Sequence, residues 1–480
     1  MLNPPDISLA ALLPTLLTLL TAAVVTIIGF FVRRRTVAWI SLIGLAVATV
    51  ADVSIWNRNI VTFGGSFRAD NFAVGFSVVL LVAGILAILS SLDSIDQSET
   101  GFPEFYAILL YAVTGTMILA HAGDLIVLLI GFEVMSLAAY VLAAFQSRVT
   151  SEEAGMKYFL LGSLSSAVMV YGISLCFGAT GSFQLAGIAA AAAAPGFANP
   201  VLLGAGALFM LVGFGFKVAW APFHQWTPDV YTGAPTVVTQ YMSVGIKAAA
   251  FAGLIRLFGT AFGGVSSWVV PTQILLALTM LVGNLAALQQ RSLKRMLAYS
   301  SVAQAGYIGL AVLANQQAGW SSALFYLAGY TLMNAGAFAV LMALSTSEDG
   351  PDIESLAGLA RRRPGLAAAL TLFMLSLAGL PPLVGFVGKY LVFSAAAQGG
   401  YYGLVVLAAI TSAISLVYYL RPVMFAYFRE PSSIQPILPR IGLGLQAVVI
   451  ISVIGTLVLG VVPNVVYGAV QSVGQVIAAR

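Results

Sequence analysis

Four lysines and one glutamate lie inside segments that are otherwise almost wholly apolar: Lys157, Lys217, Lys247, Lys389 and Glu133. A charge at the centre of a bilayer costs roughly 2.5–3.5 kcal/mol even on the most lenient scale, so such residues are expected to have a function. The arginines, in contrast, fall in the polar breaks or at the ends of the apolar segments. Arginine stays protonated in proteins, whereas a lysine in a medium of low dielectric constant can release its proton. The pattern therefore indicates reversible proton transfer.

Glu133 lies near the middle of its apolar segment without a compensating charge, and we predict that it pairs with Lys217. A carboxylate that approaches a buried lysine favours the ammonium form, and one that withdraws favours proton release. The alternative is a structural ion pair that only joins two helices. Lys247 and Lys389 are expected deep in the membrane. Lys157 lies within two turns of a predicted helix start, so a side chain that extends to the inner surface explains it equally well.

Prolines interrupt two apolar segments. The first break lies in AWAPFHQWTPDVYTGAP at 219–235, and the second lies in LAGLPPLVGFVGKY at 377–390. Proline removes a backbone donor and frees carbonyl groups, which inside a membrane must be satisfied by protein or water. Both breaks are therefore predicted to border water-accessible cavities. Lys217 precedes the first break and Lys389 follows the second.

Polar residues near these breaks are further candidates. His224 is predicted either to relay protons at neutral pH or to stabilise the first break with Trp226 and Asp229. His121, at an outer helix end, is expected to be solvated. Four side chains in KRMLAYSSVAQAGY are predicted either to support a chain of waters or simply to join helices: Tyr299, Ser300, Ser301 and Gln304.

The composition defines the solvent in which these residues work. The chain has 480 residues, of which 60% are hydrophobic and 8% are charged, whereas a soluble domain carries roughly 25% charged residues. Lipid must therefore be the main solvent. One cysteine excludes an internal disulfide, and two histidines are too few to favour a metal site. The net charge of +4 is better explained by membrane orientation than by nucleic acid.

The apolar segments predict an all-α, polytopic membrane protein with about 14 transmembrane helices and a single domain over 1–480. The first segment is interpreted as a span rather than a signal peptide, because it is long and lacks a basic start. The predicted spans cover 8–32, 37–56, 71–92, 104–121, 124–146, 153–178, 201–220, 236–258, 271–289, 295–314, 320–345, 365–397, 403–428 and 441–467.

Interrupted helices in two halves of a chain are typical of transporters built from inverted repeats. Spans 4–8 and 9–13 are the predicted repeats, with discontinuous helices 7 and 12. The predicted units are three N-terminal helices in 1–103, the first repeat in 104–258, the second repeat in 271–428 and a C-terminal helix in 441–480.

Basic residues orient the predicted spans, because they accumulate on the inner side of a membrane. Thirteen basic residues fall in loops on one side and four on the other, so both termini are predicted on the outer side. The stretch 177–200 is expected to form an outer loop with a partly buried turn. The charged stretch 346–364 is expected on the inner surface.

Three runs carry a resemblance to a known family: FKVAWAPFHQWTPDVYTGAPTVVTQYMSVGIKAAAF, LKRMLAYSSVAQAGYIGL and LAGLPPLVGFVGKYLVF. They resemble the antiporter-like membrane subunits of respiratory complex I over nearly the whole chain. The L-type and M-type subunits usually carry histidine where this chain has Lys247, and the M-type has glutamate at Lys389, so the resemblance is closest to the N-type. Some relatives have histidine at Gln304, so water or Gln304 itself would act there.

This resemblance implies a function and partners. It implies the fourteen-helix fold and proton-transfer roles for Glu133, Lys217, Lys247 and Lys389, with Lys157 nearby. It also implies a non-redox subunit of an NADH:quinone oxidoreductase in a bacterial inner membrane, beside other membrane subunits. NADH, FMN, iron–sulfur clusters and quinone would be held by those partners; the sequence itself contains no nucleotide fingerprint and no cysteine set for a cluster.

Three other functions remain open from the sequence. The first is a subunit of an Mrp-type sodium/proton antiporter without redox partners. The second is a related subunit of a photosynthetic or hydrogenase-type complex. The third is a membrane spacer that moves nothing, although the buried lysines argue against it.

Overall fold

The computed structural model describes residues 6–94, 102–345, 350–430 and 440–478. These residues form a helical bundle whose long apolar helices satisfy their backbone groups internally, as a membrane requires. The helices are α1 (Leu9–Ile28), α2 (Arg34–Ser54), α3 (Asn71–Ser94), α4 (Glu104–His121), α5 (Leu125–Ala143), α6 (Val149–Thr180), α7 (Leu185–Ala193), α8 (Pro200–Val218), α9 (Trp226–Gly233), α10 (Thr236–Ala261), α11 (Val269–Leu288), α12 (Leu293–Ala314), α13 (Gln317–Leu344), α14 (Leu359–Arg362), α15 (Pro364–Ala378), α16 (Val384–Gln398), α17 (Tyr402–Phe428), α18 (Leu443–Val461) and α19 (Asn464–Ala478).

Thirteen helices of the described part are long and apolar enough to cross a membrane. The predicted twelfth span is the exception, because its break leaves two shorter helices, α15 and α16. Taken together as one interrupted span, these two complete the fourteen predicted segments. The all-α membrane fold is thus confirmed. The division into repeats and terminal units stays a prediction.

The two breaks share a backbone geometry. After α8, Ala219 adopts a left-handed conformation (φ 66°), and the peptide bond before Pro222 is cis. After α15, Gly379 adopts φ 89°, and the peptide bond before Pro382 is cis. A left-handed residue ends a helix because it turns the chain away from the helix axis. Both predicted discontinuous helices therefore end at the same kind of turn.

Polar caps and close packing position the helices around these breaks. Asp124 accepts a hydrogen bond from the Val127 amide at the start of α5 (2.7 Å), which satisfies one of the free donors at a helix N-terminus. Helices α4 and α5 pack closely, because a side chain at Gly115 or Gly131 would meet the backbone of the other helix. Small residues allow such contact between helices in membranes. The largest hydrophobic cluster runs continuously through both halves of the bundle.

Two elements, in the stretches 177–200 and 60–69, differ from the expectation. The stretch 177–200 is largely helical rather than a loop, since α6 continues to Thr180 and α7 follows it. The run of alanines there favours helix more strongly than its Gly content disfavours it. A short antiparallel hairpin joins β1 (Ile60–Thr62) to β2 (Phe67–Ala69) through a 3-10 turn at Phe63–Gly65.

The inner segment before α15 contains its own short structure. Ile353–Leu356 forms a 3-10 helix, and the backbone of Asp352 pairs with that of Ser292 at the start of α12. This agrees with a surface segment that lies against the bundle. Glu348 and Asp349, which were part of the predicted inner segment, lie outside the described residues.

Candidate functional site: a row of buried lysines

Lys217 is enclosed by aromatic side chains at the end of α8. It is 1% exposed, and its Nζ lies 4.7–6.0 Å from the ring centres of Phe132, Tyr140, Tyr158 and Phe216. Nζ donates a hydrogen bond to the Tyr158 hydroxyl (3.2 Å). Ring faces attract a cation, and the last turn of a helix carries a partial negative charge. The ammonium group is therefore held by neutral groups.

Glu133 lies on α5, next to the Lys217 enclosure. The predicted direct contact is absent: among the described residues, no ion pair within 4.0 Å joins Glu133 to Lys217. The Glu133 Oε1 atom is buried without a hydrogen-bond partner in the described chain. Glu133 directly follows Phe132, whose ring centre lies 5.3 Å from the Lys217 Nζ. In this structure the two groups are neighbours rather than partners.

Lys247 lies in the middle of α10 and is 1% exposed. Its Nζ donates to the Ser301 carbonyl oxygen (2.8 Å) and to the Ser301 hydroxyl (2.5 Å). A π-helical turn, Met242–Ile246, immediately precedes Lys247. Such turns are rare and occur frequently at functional sites. Sequence reasoning does not find this turn, because no residue pattern marks it.

A separate hydrogen-bonded network surrounds Ser300 and Gln304 on the same helix, α12. The Gln304 amide donates to the Leu377 carbonyl and to the Tyr419 hydroxyl, both at 3.0 Å. Its Oε1 accepts from the Tyr326 hydroxyl, and Ser300 and Tyr419 share a hydrogen bond of 2.5 Å. Buried polar groups that satisfy one another in this way stabilise a single arrangement. Gln304 thus connects α12, α13, α15 and α17.

Lys389 lies beyond the second break and is 4% exposed. Its Nζ donates to the carbonyl oxygen of Ala378, the last residue of α15 (2.9 Å), and to the Ser412 hydroxyl (2.8 Å). It also lies 4.9 Å from the ring centre of Tyr307. A cation at a helix C-terminus is favourable, because the last carbonyl groups have no partners in the helix.

Lys157 lies elsewhere, at the surface of the bundle. Its side chain is 43% exposed and forms ion pairs with Glu153 (2.7 Å) and Asp229 (3.1 Å). Asp229 also pairs with Arg295 of α12 (3.1 Å). The geometry agrees with the extended side chain that the sequence left open. The structure thus brings Lys217, Lys247 and Lys389 into the interior and Lys157 to the edge of a charged pocket.

Comparison with known proteins shows the family to which this chain belongs. The family described as "NADH:quinone oxidoreductase/Mrp antiporter, TM" matches residues 122–415. NADH-quinone oxidoreductase subunit N of Deinococcus radiodurans is 44% identical, over 98% of this chain and 97% of that protein. The chain belongs to the antiporter-like membrane subunits of this family.

Solved structures of the NADH:quinone oxidoreductase/Mrp antiporter family have the same fold. A chain of respiratory complex I from Thermus thermophilus, solved with bound aureothin, matches with a TM-score of 0.83 and 37% identity, over 96% of this chain and 99% of that chain. A chain of the Mrp complex from Dietzia has a TM-score of 0.86 at 22% identity, with 98% and 97% covered. The second likeness concerns the fold alone.

One of the two histidines of this family member differs from its predicted surroundings. His121 is fully buried rather than solvated: its ring stacks on Phe67 at 4.8 Å, and Nδ1 bonds to the Met117 carbonyl. The hairpin covers the helix end and excludes water. His224 is half-buried in the first break, where its backbone carbonyl accepts a hydrogen bond from the Thr227 amide (2.9 Å) and its Nδ1 atom has no hydrogen-bond partner among the described residues. Its role stays a prediction.

Two basic residues that the sequence assigns to loops or span ends are buried. Arg256, near the C-terminal end of α10, forms a bidentate pair with Asp70 (2.5 and 2.8 Å), and both side chains are 2% exposed. Its position inside the predicted span 236–258 is the signal that points to it. Lys294 is buried in the first turn of α12 and donates to the carbonyl oxygen of Ala234, where α9 ends (2.9 Å). No sequence pattern predicts that contact.

The metal-binding types of side chain in the described residues do not cluster as they would in a metal centre. No group of three His, Cys, Asp or Glu side chains within the described ranges could hold a metal ion. What the lysine row can do chemically is exchange protons, because each amine has a neutral hydrogen-bond partner that tolerates either protonation state. The charge of each group is not fixed by a carboxylate contact.

Proposed function

We propose that this chain translocates protons as the N-type membrane subunit of an NADH-quinone oxidoreductase. The observation that carries the proposal is the buried row of Lys217, Lys247 and Lys389, each held by hydroxyl or carbonyl oxygens rather than by a carboxylate. A lysine with a carboxylate contact would stay charged. A lysine with neutral partners in a medium of low dielectric constant changes protonation when its surroundings change.

The proposed route follows the hydrogen-bonded contacts. A proton from the inner side rests on Lys217 or Lys247, passes through the polar network at Gln304 and reaches Lys389, from which it leaves outward. Ser301 contacts Lys247 directly, and Leu377 next to Ala378 joins the Gln304 network to the carbonyl group that holds Lys389. Waters would complete the intervals between these groups. Glu133 would bias Lys217 by approaching or withdrawing.

The driving energy must come from partners. Moving one charge across 100 mV requires about 2.3 kcal/mol, and this chain is proposed to perform no redox chemistry of its own. NADH, FMN, iron–sulfur clusters and quinone would be handled by other subunits of the complex. The proposed location is a bacterial inner membrane, with both termini on the outer side, as the distribution of basic residues in loops favours.

An Mrp-type sodium/proton antiporter subunit is the second candidate, and the fold that this chain shares with the Mrp complex favours it. Co-purification separates the two candidates. Flavin, iron–sulfur clusters and their polypeptides should accompany the chain out of the membrane if the first is right. A set of small membrane proteins without prosthetic groups would instead support the antiporter.

The test of the proposed function is NADH-driven proton pumping in inverted membrane vesicles. Lys217→Ala and Glu133→Ala should each reduce pumping, the first by about tenfold or more, equivalent to at least about 1.4 kcal/mol. Lys217→Arg is the matched control, since it keeps the cation but cannot release a proton, and it should also fail. NADH:ferricyanide activity would report assembly. Wild-type pumping in both alanine variants would contradict the proposal.

A further inference from the structure

Asp52 is an acidic residue that belongs neither to the lysine row nor to the Arg256 pair. It lies in the last turn of α2 and is fully buried (0% exposed). Neither of its carboxyl oxygens has a hydrogen-bond partner among the described residues, and no ion pair within 4.0 Å involves it there. Buried polar groups normally have partners, so this exception requires a physical explanation.

The packing of α2 against α3 places a hydroxyl group opposite Asp52. A Cβ atom on Gly84 of α3 would lie 3.1 Å from the Leu45 side chain of α2, so these two positions face each other. Asp52 follows Leu45 by seven residues, and Ser77 precedes Gly84 by seven residues. Seven residues make about two helical turns, and the two helices run in opposite directions. Asp52 and Ser77 therefore lie on facing sides of α2 and α3.

A second contact, one turn beyond Asp52, supports this register. Ile55 of α2 and Val74 of α3 belong to one small hydrophobic cluster and continue the same antiparallel pairing. Ser77 is itself fully buried, and its hydroxyl oxygen has no hydrogen-bond partner in the described part of the chain. Two polar side chains without partners are thus placed opposite each other between α2 and α3.

Helix α1 adds oxygen atoms at the same level of the bundle. A side chain at Gly44 of α2 would meet Thr21 of α1, and the same antiparallel count places the turn around Pro14 beside Asp52. Proline has no backbone N–H, so the carbonyl group four residues before Pro14 lacks its usual helical partner. The neighbouring Thr15 hydroxyl is buried and also has no partner within the described ranges. This level of the bundle is therefore rich in oxygen acceptors.

The helices packed against α2 supply no cation at this level. Helix α1 has no charged residue, and α3 has none before Asp93. On α4, His121 stacks on the hairpin, where Arg68 bonds to its own turn and Arg58 is exposed. The last turn of α2 also carries a partial negative charge. An isolated carboxylate in such surroundings costs far more than a neutral acid, so the group takes up a proton instead.

We propose that Asp52 is a proton-binding site separate from the lysine row, and that its carboxyl group stays protonated in the folded chain. The ligand is one proton, taken from water as the helices pack, and it converts an isolated charge into a neutral group. A neutral carboxyl group has one O–H donor, which donates to the Ser77 hydroxyl across the contact between α2 and α3. The site does not rest on the proposed function, because it lies on α1–α3, whereas the lysines lie on α8, α10 and α16.

Infrared difference spectroscopy of the assembled complex in lipid nanodiscs tests this site, since neutral and ionised carboxyl groups absorb at different frequencies. At neutral pH, the wild type should have a C=O band of a neutral carboxyl group that shifts in heavy water. Asp52→Asn should lose this band completely. Ser77→Ala should keep the band at a changed frequency, because the acceptor of the hydrogen bond is gone. Asp52→Glu, which should move the band rather than remove it, replaces the asparagine variant if that variant does not assemble.

Asp352→Asn is the matched control, because it changes an exposed acid and should remove only the bands of an ionised carboxylate. Loss of such ionised bands in Asp52→Asn, in place of the neutral band, would overturn the proposal. An unchanged band in Ser77→Ala would overturn the assigned contact with α3. The band should persist in Lys217→Ala whether or not that variant pumps protons, which keeps this test distinct from that of the proposed function. Its disappearance in Lys217→Ala would contradict a site separate from the lysine row.

Discussion

The bundle buries positive charge in two different ways. Near the C-terminal end of α10, Arg256 meets Asp70 in a bidentate pair and lies 4.5 Å from the ring centre of Phe72. In the interior, Lys217, Lys247 and Lys389 have hydroxyl, carbonyl and ring partners instead. The pair fixes a charge that cannot leave, because guanidinium does not deprotonate. The neutral partners leave the lysine charge adjustable. The first arrangement suits anchoring, and the second suits proton transfer.

Both arrangements lie on one helix. Lys247 and Arg256 bound the α-helical segment of α10 that separates its two π-helical turns, Met242–Ile246 and Leu257–Ala261. The Arg256 pair connects this segment to the β1–β2 hairpin, since Asp70 directly follows β2. A fixed end and an adjustable centre therefore occupy the same rigid element.

Removing the partner of the fixed charge should have the largest effect. Asp70→Asn leaves Arg256 buried without a carboxylate, which typically destabilises a protein by about 3–5 kcal/mol. The amount of assembled complex in the membrane, measured by native gel electrophoresis, should fall sharply. Asp352→Asn, which changes an exposed acid in the segment before α15, is the control and should assemble normally. Normal assembly of Asp70→Asn would remove the distinction between an anchoring pair and the lysine row.

The sequence predicts which charged residues are buried better than it predicts the residues that they contact. Burial of Lys217, Lys247 and Lys389 follows from the position of each lysine in an apolar segment, and the breaks follow from proline chemistry. The partners lie far away along the chain: Asp70 meets Arg256, and Lys389 meets Ser412. Which face of each helix meets which neighbour is a property of packing. Hydropathy carries no information about how helix faces pack. The predicted Glu133–Lys217 contact and the predicted solvation of His121 were therefore wrong.

Interrupting the polar network should have the next largest effect. Gln304→Leu removes the acceptor for Tyr326 and two donors, so buried hydroxyl and carbonyl groups lose their partners at about 1–3 kcal/mol each. Proton pumping per NADH should fall by about tenfold. Gln290→Leu, which changes a half-buried amide just after α11, should pump normally. Equal pumping by the two variants would show that protons do not pass through the Gln304 network.

Losing a lysine partner should have unequal effects at the two breaks. Tyr158→Phe removes the Lys217 hydrogen-bond acceptor and keeps the stacked ring. Because a hydrogen bond contributes about 1–1.5 kcal/mol net, pumping should fall about fivefold to tenfold. Tyr307→Phe keeps the ring next to Lys389 and both of its hydrogen-bond partners, Ala378 and Ser412, and should therefore reduce pumping about twofold or less. A larger loss in Tyr307→Phe would reverse the ranking of the two sites.

Ser412→Ala should have the smallest effect on proton pumping. It tests whether Lys389, at the second break, still functions with one hydrogen-bond partner fewer. Lys389 keeps the Ala378 carbonyl oxygen, which belongs to the C-terminal turn of α15 and carries the partial negative charge of that helix. Pumping should therefore fall only about twofold to threefold, with assembly unchanged, in the same vesicle assay. Ser415→Ala, one turn further along α17 and bonded only to its own helix, is the control. If Ser412→Ala pumped as poorly as Tyr158→Phe, the carbonyl end of the half-helix would not hold the ammonium group by itself. The two lysines would then depend equally on a single hydroxyl group, despite their different positions relative to the breaks.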